Sequence, residues 1–148
     1  MESTIFRKIM VATDGSELVK RAVDLAIEIA KLSKAKLYAV YVIDLGDHQS
    51  KNHPKAGGKE ATAYVEKVGR VANVEVESII LEGNPANEII DFAEKNDIDL
   101  IVMGTQGKTG IQRFLIGSVS ENVVRHSERA VLVVRGESAD LLLKALLK

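Results

Sequence analysis

The sequence predicts an α/β domain of the doubly wound class, in which helices cover both faces of a parallel sheet. Short apolar strands alternate with amphipathic helices along the chain, and this alternation is typical of sheets built from right-handed crossovers. The 148 residues suffice for one domain with one core. Ligands of such sheets bind beyond the carboxyl ends of the strands, where the strand order reverses. We therefore expect functional residues in the loops that follow strands.

Composition excludes several classes of protein. The content of 46% hydrophobic and 28% charged residues is typical of a globular chain. The 20 basic residues balance the 21 acidic ones, so the overall charge favours neither nucleic acid nor an anionic membrane as a partner. The absence of cysteine excludes disulfides, thiol nucleophiles and thiolate metal sites. The sequence shows neither a signal peptide nor a transmembrane segment, so we expect a cytoplasmic protein.

The first three elements are a strand, a helix and a strand. Residues 5–12 form a short apolar run that ends at Thr-Asp-Gly-Ser, residues 13–16, a sequence suited to a turn and a helix cap. Apolar residues at helical spacing predict a helix over residues 17–33. Residues 37–43 are rich in valine, isoleucine and tyrosine, which predicts a strand covered on both faces.

The middle of the chain contains a predicted loop, a helix and an edge strand. Residues 44–58 lack periodicity and contain three glycines and one proline, so we expect a long loop. His48 and His53 lie there on no regular element, and we interpret them as solvated rather than as metal ligands. A helix is predicted over residues 59–72 and a strand over 74–81, whose Val-Glu alternation indicates a sheet edge.

The second half of the domain follows the same alternation. Asn84 and Pro85 predict the start of the third helix, because asparagine is a good N-cap and proline fits the first helical position. Apolar runs predict the fourth strand at residues 99–103 and the fifth at residues 130–134.

The loop after the fourth strand has the composition of an anion site. It contains four glycines, Gly104, Gly107, Gly110 and Gly117. Glycines let the backbone approach a ligand and turn N–H groups toward it. Ser118 and Glu121 have the spacing of a capping box, so we expect Ser118 at the positive end of the fourth helix, where a phosphate is stabilised. Residues 104–135 carry five basic and two acidic residues.

Two familiar phosphate motifs are excluded. Gly107-Lys108-Thr109 resembles the end of a P-loop, but valine occupies position 102, where the first glycine is required. Gly104 and Gly107 are separated by two residues, which does not fit the dinucleotide-binding Gly-x-Gly-x-x-Gly pattern. Each glycine also has a structural interpretation as part of a turn, and Ser118 as a cap without a ligand.

The spacing Gly104, two residues, Gly107, nine residues, Gly117-Ser118 resembles the ATP-binding signature of the universal stress protein family. The segments 11–16, 40–42, 99–104 and 130–135 are similar to strands one, two, four and five of that family. The resemblance extends over nearly all of residues 5–135 and points to the ATP-binding branch. It implies a universal stress protein domain at residues 1–135, followed by a C-terminal extension at residues 136–148.

The resemblance also implies a Rossmann-like fold and a set of binding residues. The family's five-stranded parallel sheet has the order 3-2-1-4-5, which brings the loops at Asp14 and Gly104 together. The implied cofactor-binding residues are Ala12, Thr13, Asp14, Val42, Met103, Gly104, Gly107, Lys108, Gly110, Gly117, Ser118, Val119 and Ser120. The first three would lie near the adenine and ribose, and Val42 would contact the adenine through its backbone. Asp14 could equally cap the first helix, and Val42 could equally be a core residue.

Two positions depart from the family pattern, since Ala12 replaces a common proline and Gln106 a common histidine.

The leading functional hypothesis is an ATP-binding regulatory module of the stress response. The alternative is a slow ATPase or a nucleotidyl or phosphoryl transferase that uses Mg²⁺ or Mn²⁺, with charge from Lys108 or Arg113 and with Asp14 holding the metal. No general base or other catalytic residue is identified, because His126 is expected on a helix face. A flavin carrier is a third possibility.

Two further expectations concern the end of the chain. Ser138 is a plausible cap for a short helix whose apolar face contains Ala139, Leu142, Leu143 and Leu146. Such a short helix requires an apolar surface, which its own domain or a dimer mate can supply. The alternatives are a partner protein or a membrane surface, and the few basic residues weaken the membrane option. The family resemblance implies a homodimer through the strand at residues 130–135, whose apolar run suits an otherwise open edge.

Overall fold

The structure is a computed structural model that describes residues 5–45, 54–105 and 117–135, without the side chains of residues 54–56. Within these ranges, strands and helices alternate strictly. The elements are β1 (Lys8–Ala12), α1 (Glu17–Ser33), β2 (Lys36–Asp44), α2 (Pro54–Ala72), β3 (Val76–Gly83), α3 (Pro85–Lys95), β4 (Leu100–Gly104), α4 (Ser118–His126) and β5 (Ala130–Val134).

The five strands form one parallel sheet in the order β3-β2-β1-β4-β5. The predicted doubly wound α/β class and strand order are therefore confirmed, whereas the predicted C-terminal helix lies outside the described residues. β1 is the central strand, and its Val11 lies between Ala39 of β2 and Val102 of β4. The order of the strands reverses at the β1–β4 pair, because the chain runs outward to β3 on one side and to β5 on the other.

Helices cover both faces of the sheet and enclose two apolar cores. On one face, α1 and α2 pack over Ile9 and Val11 of β1. On the other face, α3 and α4 pack over Met10 of the same strand. Alternate residues of a strand point to opposite faces. The interior strands β1 and β4 are therefore covered on both faces, and their sequences are almost entirely apolar.

The loop predicted at residues 44–58 is too long, because α2 begins at Pro54. Proline suits the first turn of a helix, where its missing N–H is not needed. Gly58 belongs to this helix, and a Cβ added there would lie 2.9 Å from Cδ1 of Tyr41 in β2. This glycine allows the helix to approach the sheet closely and does not mark a loop. His48 and His53 lie outside the described residues.

The strand predicted at residues 74–81 lies two residues later, at Val76–Gly83. Asn73 adopts a left-handed conformation with φ of 60°, and the Val74 N–H donates to the Gly69 carbonyl at 2.8 Å. These residues end α2 instead of starting the strand. The predicted edge position of this strand is confirmed, and its alternating exposure fits one.

The start of α3 is as predicted. Asn84 is the N-cap, and its Oδ1 accepts a hydrogen bond from the Asn87 N–H at 3.1 Å. Pro85 occupies the first helical position.

Among the described residues, no helix is both long enough and apolar enough to cross a membrane.

Candidate functional site

The candidate site lies at the carboxyl ends of β1 and β4, where the strand order reverses. Val11 and Val102 are paired in these two neighbouring strands. The chain leaves β1 toward α1 on one face, whereas α4 covers the other face. Diverging connections of this kind open a crevice between the two loops. The structure therefore brings Asp14 and Gly104 to the same edge of the sheet, as expected.

The turn between β1 and α1 is held by its own side chains. Thr13 is buried, its N–H donates to the Val40 carbonyl at 2.9 Å, and its Oγ1 accepts from the Gly15 N–H at 3.1 Å. Asp14 Oδ1 accepts from the Ser16 N–H at 2.9 Å. Ser16 is the N-cap of α1, so the interpretation of Asp14 as the helix cap is wrong. The Asp14 carboxylate instead stabilises the turn that precedes the helix.

Gly15 is required in this turn by its backbone conformation. Its φ is +79°, in the left-handed region where a side chain introduces strain. A Cβ at this position would also lie 3.3 Å from Cβ of Ala61 in α2. The turn is thus packed directly against α2, which fixes the position of Asp14 relative to the sheet.

The residues that follow β4 are joined to the start of α4. Thr105 is buried, and its N–H donates to the Val134 carbonyl of β5 at 3.0 Å. Its carbonyl accepts from the Gly117 N–H at 2.6 Å. The chain therefore leaves at Thr105 and returns beside it at Gly117. A Cβ on Gly117 would lie 2.5 Å from the Thr105 carbonyl oxygen, so only glycine allows this approach.

The N-terminus of α4 has a glycine cap. Gly117 is the N-cap and Ser118 the first helical residue, so the predicted capping box is wrong by one position. Glu121 does not reach back to the cap and instead pairs with Arg125 at 3.1 Å. The buried Ser120 hydroxyl donates to the Gly117 carbonyl at 3.0 Å and fixes the first turn.

The first turn of α4 offers backbone donors. The N–H groups of Ser118, Val119 and Ser120 have no acceptor within the helix, as for the first residues of any helix. The glycine N-cap contributes no side-chain oxygen to them. These donors and the helix dipole together favour an anion at this end.

An apolar surface lies in the same crevice. Met103 is buried in the core beneath α3 and α4, and half-buried Ala12, Val42 and Val119 pack against that core. The structure thus brings four of the expected binding residues onto one face. Val42 is neither fully buried nor fully exposed, so its core interpretation and its binding interpretation are compatible.

Two residues at the site were not found from the sequence. Thr105 joins β4, β5 and α4 through its backbone. The only signal for it in the sequence is that a polar residue follows Gly104, the last residue of β4. Leu81 extends the apolar surface, because it is paired with Val42 and packs against the same core. Its role depends on the pairing of β2 with β3, which the spacing of residues does not reveal.

Other expected residues contribute less or lie outside the structure. Gly107, Lys108, Gly110 and Arg113 are outside the described residues. Arg129, counted toward the positive charge of residues 104–135, pairs instead with Glu94 at 3.2 Å. In the part of the chain that the structure describes, no three His, Cys, Asp or Glu side chains are grouped to hold a metal ion.

Fold and site together define a doubly wound α/β protein that presents an apolar surface and a helix N-terminus in one crevice. The sequence profile of the universal stress protein family matches residues 5–135. The chain belongs to this family. A similar relative is the universal stress protein MJ0531 of Methanocaldococcus jannaschii, which is 42% identical over 141 residues that cover 88% of this chain and 83% of the relative.

Solved structures show the same fold. Hypothetical protein MJ0577 superimposes with a TM-score of 0.79 at 32% identity, over 88% of this chain and 96% of its own. A universal stress protein in complex with cAMP has a TM-score of 0.70 at 31% identity, over 88% and 98%. The universal stress protein of Archaeoglobus fulgidus in complex with dAMP has a TM-score of 0.71 at 26% identity, over 88% and 99%. Adenine nucleotides are thus ligands of two structural neighbours.

Proposed function

We propose that this protein binds ATP in the crevice between β1 and β4 and acts as a nucleotide-dependent regulatory module of the stress response. The observation that carries the proposal is the juxtaposition of an apolar surface with the glycine-capped N-terminus of α4. A nucleotide needs both features, because its base is flat and largely apolar whereas its phosphates are anionic. The cAMP and dAMP complexes of the structural neighbours support the same ligand class.

Each part of the nucleotide has a proposed partner. The base lies against the half-buried side chains of Ala12, Val42 and Val119, and next to Met103. The ribose lies near Thr13 and Asp14, whose turn is fixed by its own hydrogen bonds. The phosphates meet the N–H groups of the first turn of α4 and the glycine loop, with the further proposed contacts Gly104, Gly107, Lys108, Gly110, Gly117, Ser118 and Ser120.

Calorimetric titration of nucleotide-stripped protein with ATP, AMP and FMN, with and without Mg²⁺ or Mn²⁺, tests this function. We expect ATP to bind more tightly than AMP, because additional phosphates reach the helix N-terminus. FMN binding with no ATP binding would contradict the proposal and favour a flavin carrier. Phosphate release from the ATP-bound sample above the rate in buffer would favour the alternative of a slow metal-dependent ATPase.

The second part of the proposal is a cytoplasmic homodimer through β5. The edge strand β3 exposes Glu77 and Glu82, whereas β5 consists of Ala-Val-Leu-Val-Val. Charged side chains protect a sheet edge from pairing, and an uncharged edge is open to it.

Light scattering tests the dimer directly, and we expect a species of twice the chain mass of 16.1 kDa. The variant Val133→Glu should shift the population toward the monomer. Ile80→Glu on β3 is the matched control at the opposite edge and should leave the dimer intact. A wild-type protein that scatters as a monomer contradicts this part of the proposal.

A further inference from the structure

Helix α1 has two different flanks. Asp24 and Lys20 face α2: the Tyr64 hydroxyl donates to Asp24 Oδ1 at 3.2 Å, and Lys20 Nζ lies 4.9 Å from the centre of the Tyr64 ring. The opposite flank carries Leu25, Ile29 and Leu32 at positions i, i+4 and i+7, which we call the α1 stripe. Leu25 is 39% exposed and Leu32 84% exposed. An apolar stripe of this kind is unusual on a solvated helix flank.

The α1 stripe faces the β5 side of the sheet. Helix α2 lies over β2 and β3, so the flank of α1 that points away from α2 points toward β5. Leu132 of β5 lies on the same face and packs, like Ile29, against the core beneath α1. The stripe and Leu132 therefore lie on the same face beside the β5 edge, and Leu25 and Leu32 are exposed there.

The chain continues from β5 beside this surface. Residues 136–148 follow directly and lie outside the region that the family profile matches. Among their apolar residues, Ala139, Leu142, Leu143 and Leu146 fall on one face of a helix. As a helix, these residues would span about 20 Å, which is enough to run back along much of α1.

We propose that residues 136–148 form a helix that packs on the α1 stripe and Leu132 of the same chain, parallel to α1. The order of charges is complementary in this direction. Along α1, Arg21 precedes Glu28, and both are exposed one helical turn from a leucine of the stripe. Along the tail, Asp140 precedes Lys144. A parallel arrangement therefore gives the charges of the two helices the same order with opposite sign.

Paramagnetic relaxation measures this contact in the full-length protein. The chain has no cysteine, so Lys144→Cys carries a single nitroxide on the polar side of the tail. We expect broadening of the amides of Leu25, Ile29 and Leu132. The matched label at Asp91→Cys, exposed on α3 across the sheet, should leave them sharp. Unbroadened amides with the Lys144→Cys label would overturn the proposal.

A mixed sample identifies which copy supplies the tail. Spin-labelled chains without ¹⁵N are combined with unlabelled ¹⁵N chains, so that only contacts between copies cause broadening. We expect the amide resonances along the α1 stripe to stay sharp in this sample. Broadening there would mean that the tail packs on a second copy, and it would overturn packing within one chain.

Hydrogen exchange of a matched pair of surface variants supplies a second test. Leu25→Lys places a charge on the stripe, and the control Val71→Lys places one on α2 at a residue already 86% exposed. We expect protection of the amides of residues 139–146 to fall about tenfold or more in the first variant and to stay at wild-type level in the second. Equal protection in both variants, or no protection in the wild type, contradicts the proposal. ATP titration is not involved, so this result is independent of the proposed function.

Discussion

Helices α3 and α4 lie on the same face of the sheet, and each follows the carboxyl end of a parallel strand, β3 or β4, yet their N-termini are built differently. In α3, the Asn84 side chain accepts from the Asn87 N–H, and Pro85 has no N–H to satisfy. In α4, Gly117 has no side chain to offer the first turn. The N-cap of α3 thus supplies a side-chain acceptor to its first turn, whereas the N-cap of α4 supplies none. This difference supports the proposed anion site at α4.

The largest expected effect comes from closing the α4 site sterically. In Gly117→Ala the new Cβ overlaps the Thr105 carbonyl oxygen, 2.5 Å away. Such overpacking costs roughly 1–3 kcal/mol of stability. Relieving the overlap moves Gly117 away from Thr105 and shifts the first turn of α4, so we expect ATP affinity to fall by about tenfold or more. Calorimetry measures the affinity, and thermal unfolding verifies that the variant is folded. The control Gly57→Ala adds a Cβ at 3.4 Å from the Tyr41 hydroxyl, an ordinary contact, and should retain wild-type affinity.

An acidic residue at each helix N-terminus sharpens the comparison. Ser118→Asp adds a negative charge in the first turn of α4, which favours the helix but repels a phosphate. We expect unchanged or higher thermal stability together with about tenfold weaker ATP binding, or roughly 1.4 kcal/mol. Asn87→Asp makes the same type of change at α3 and should leave ATP binding unaltered. Equal losses in the two variants would show that the effect is one of net charge and not of the site.

Removing the cap of α3 should have the opposite effect, lower thermal stability with unchanged ATP affinity. Asn84→Ala loses the hydrogen bond to the Asn87 N–H, and such caps contribute about 1 kcal/mol to stability. The midpoint of thermal unfolding should fall by roughly 2–4 °C. ATP affinity should stay unchanged, because α3 is outside the proposed site. A large loss of affinity would mean that both helices bind the nucleotide.

The smallest expected effect is a gain in ATP affinity. Glu121 in the first turn of α4 is the one acidic side chain there, and it pairs with Arg125 on the surface. Glu121→Gln should strengthen ATP binding about twofold, since exposed charge interactions contribute roughly 0.2–1 kcal/mol. Glu88→Gln at the equivalent position of α3 serves as the control and should have no effect on binding. The gain should diminish at high salt, because exposed charges are screened.

Much of the fold could be predicted from the sequence, because hydrophobic periodicity is local. The alternation that predicted α1 and β5 depends on neighbouring residues only, and both elements have the predicted bounds. The strand order came from the family resemblance instead, since no residue pattern reveals which strands are neighbours. Gly58 shows where local reasoning fails. The composition around it assigned it to a loop, but it lies in α2, where the absence of a side chain allows close packing against Tyr41 of β2.

The site was predicted less accurately for the same reason. Ser118 and Glu121 satisfy the capping-box pattern, yet the helix starts one residue earlier than that pattern requires, because Gly117 is held by Thr105. Arg129 was counted as local positive charge, but it precedes β5 and its partner Glu94 lies on α3. Contacts between residues distant in the chain decided both positions, and a single sequence does not contain them.

The most direct test is an amide chemical-shift titration of ¹⁵N-labelled protein with ATP, in which the two helix N-termini report separately. We expect the largest chemical-shift changes at the amides of Ser118, Val119 and Ser120, and no change at those of Ala86 and Asn87. Saturating ATP that leaves the α4 amides unshifted, or that shifts those of α3 instead, would contradict the assignment of the phosphate site to α4.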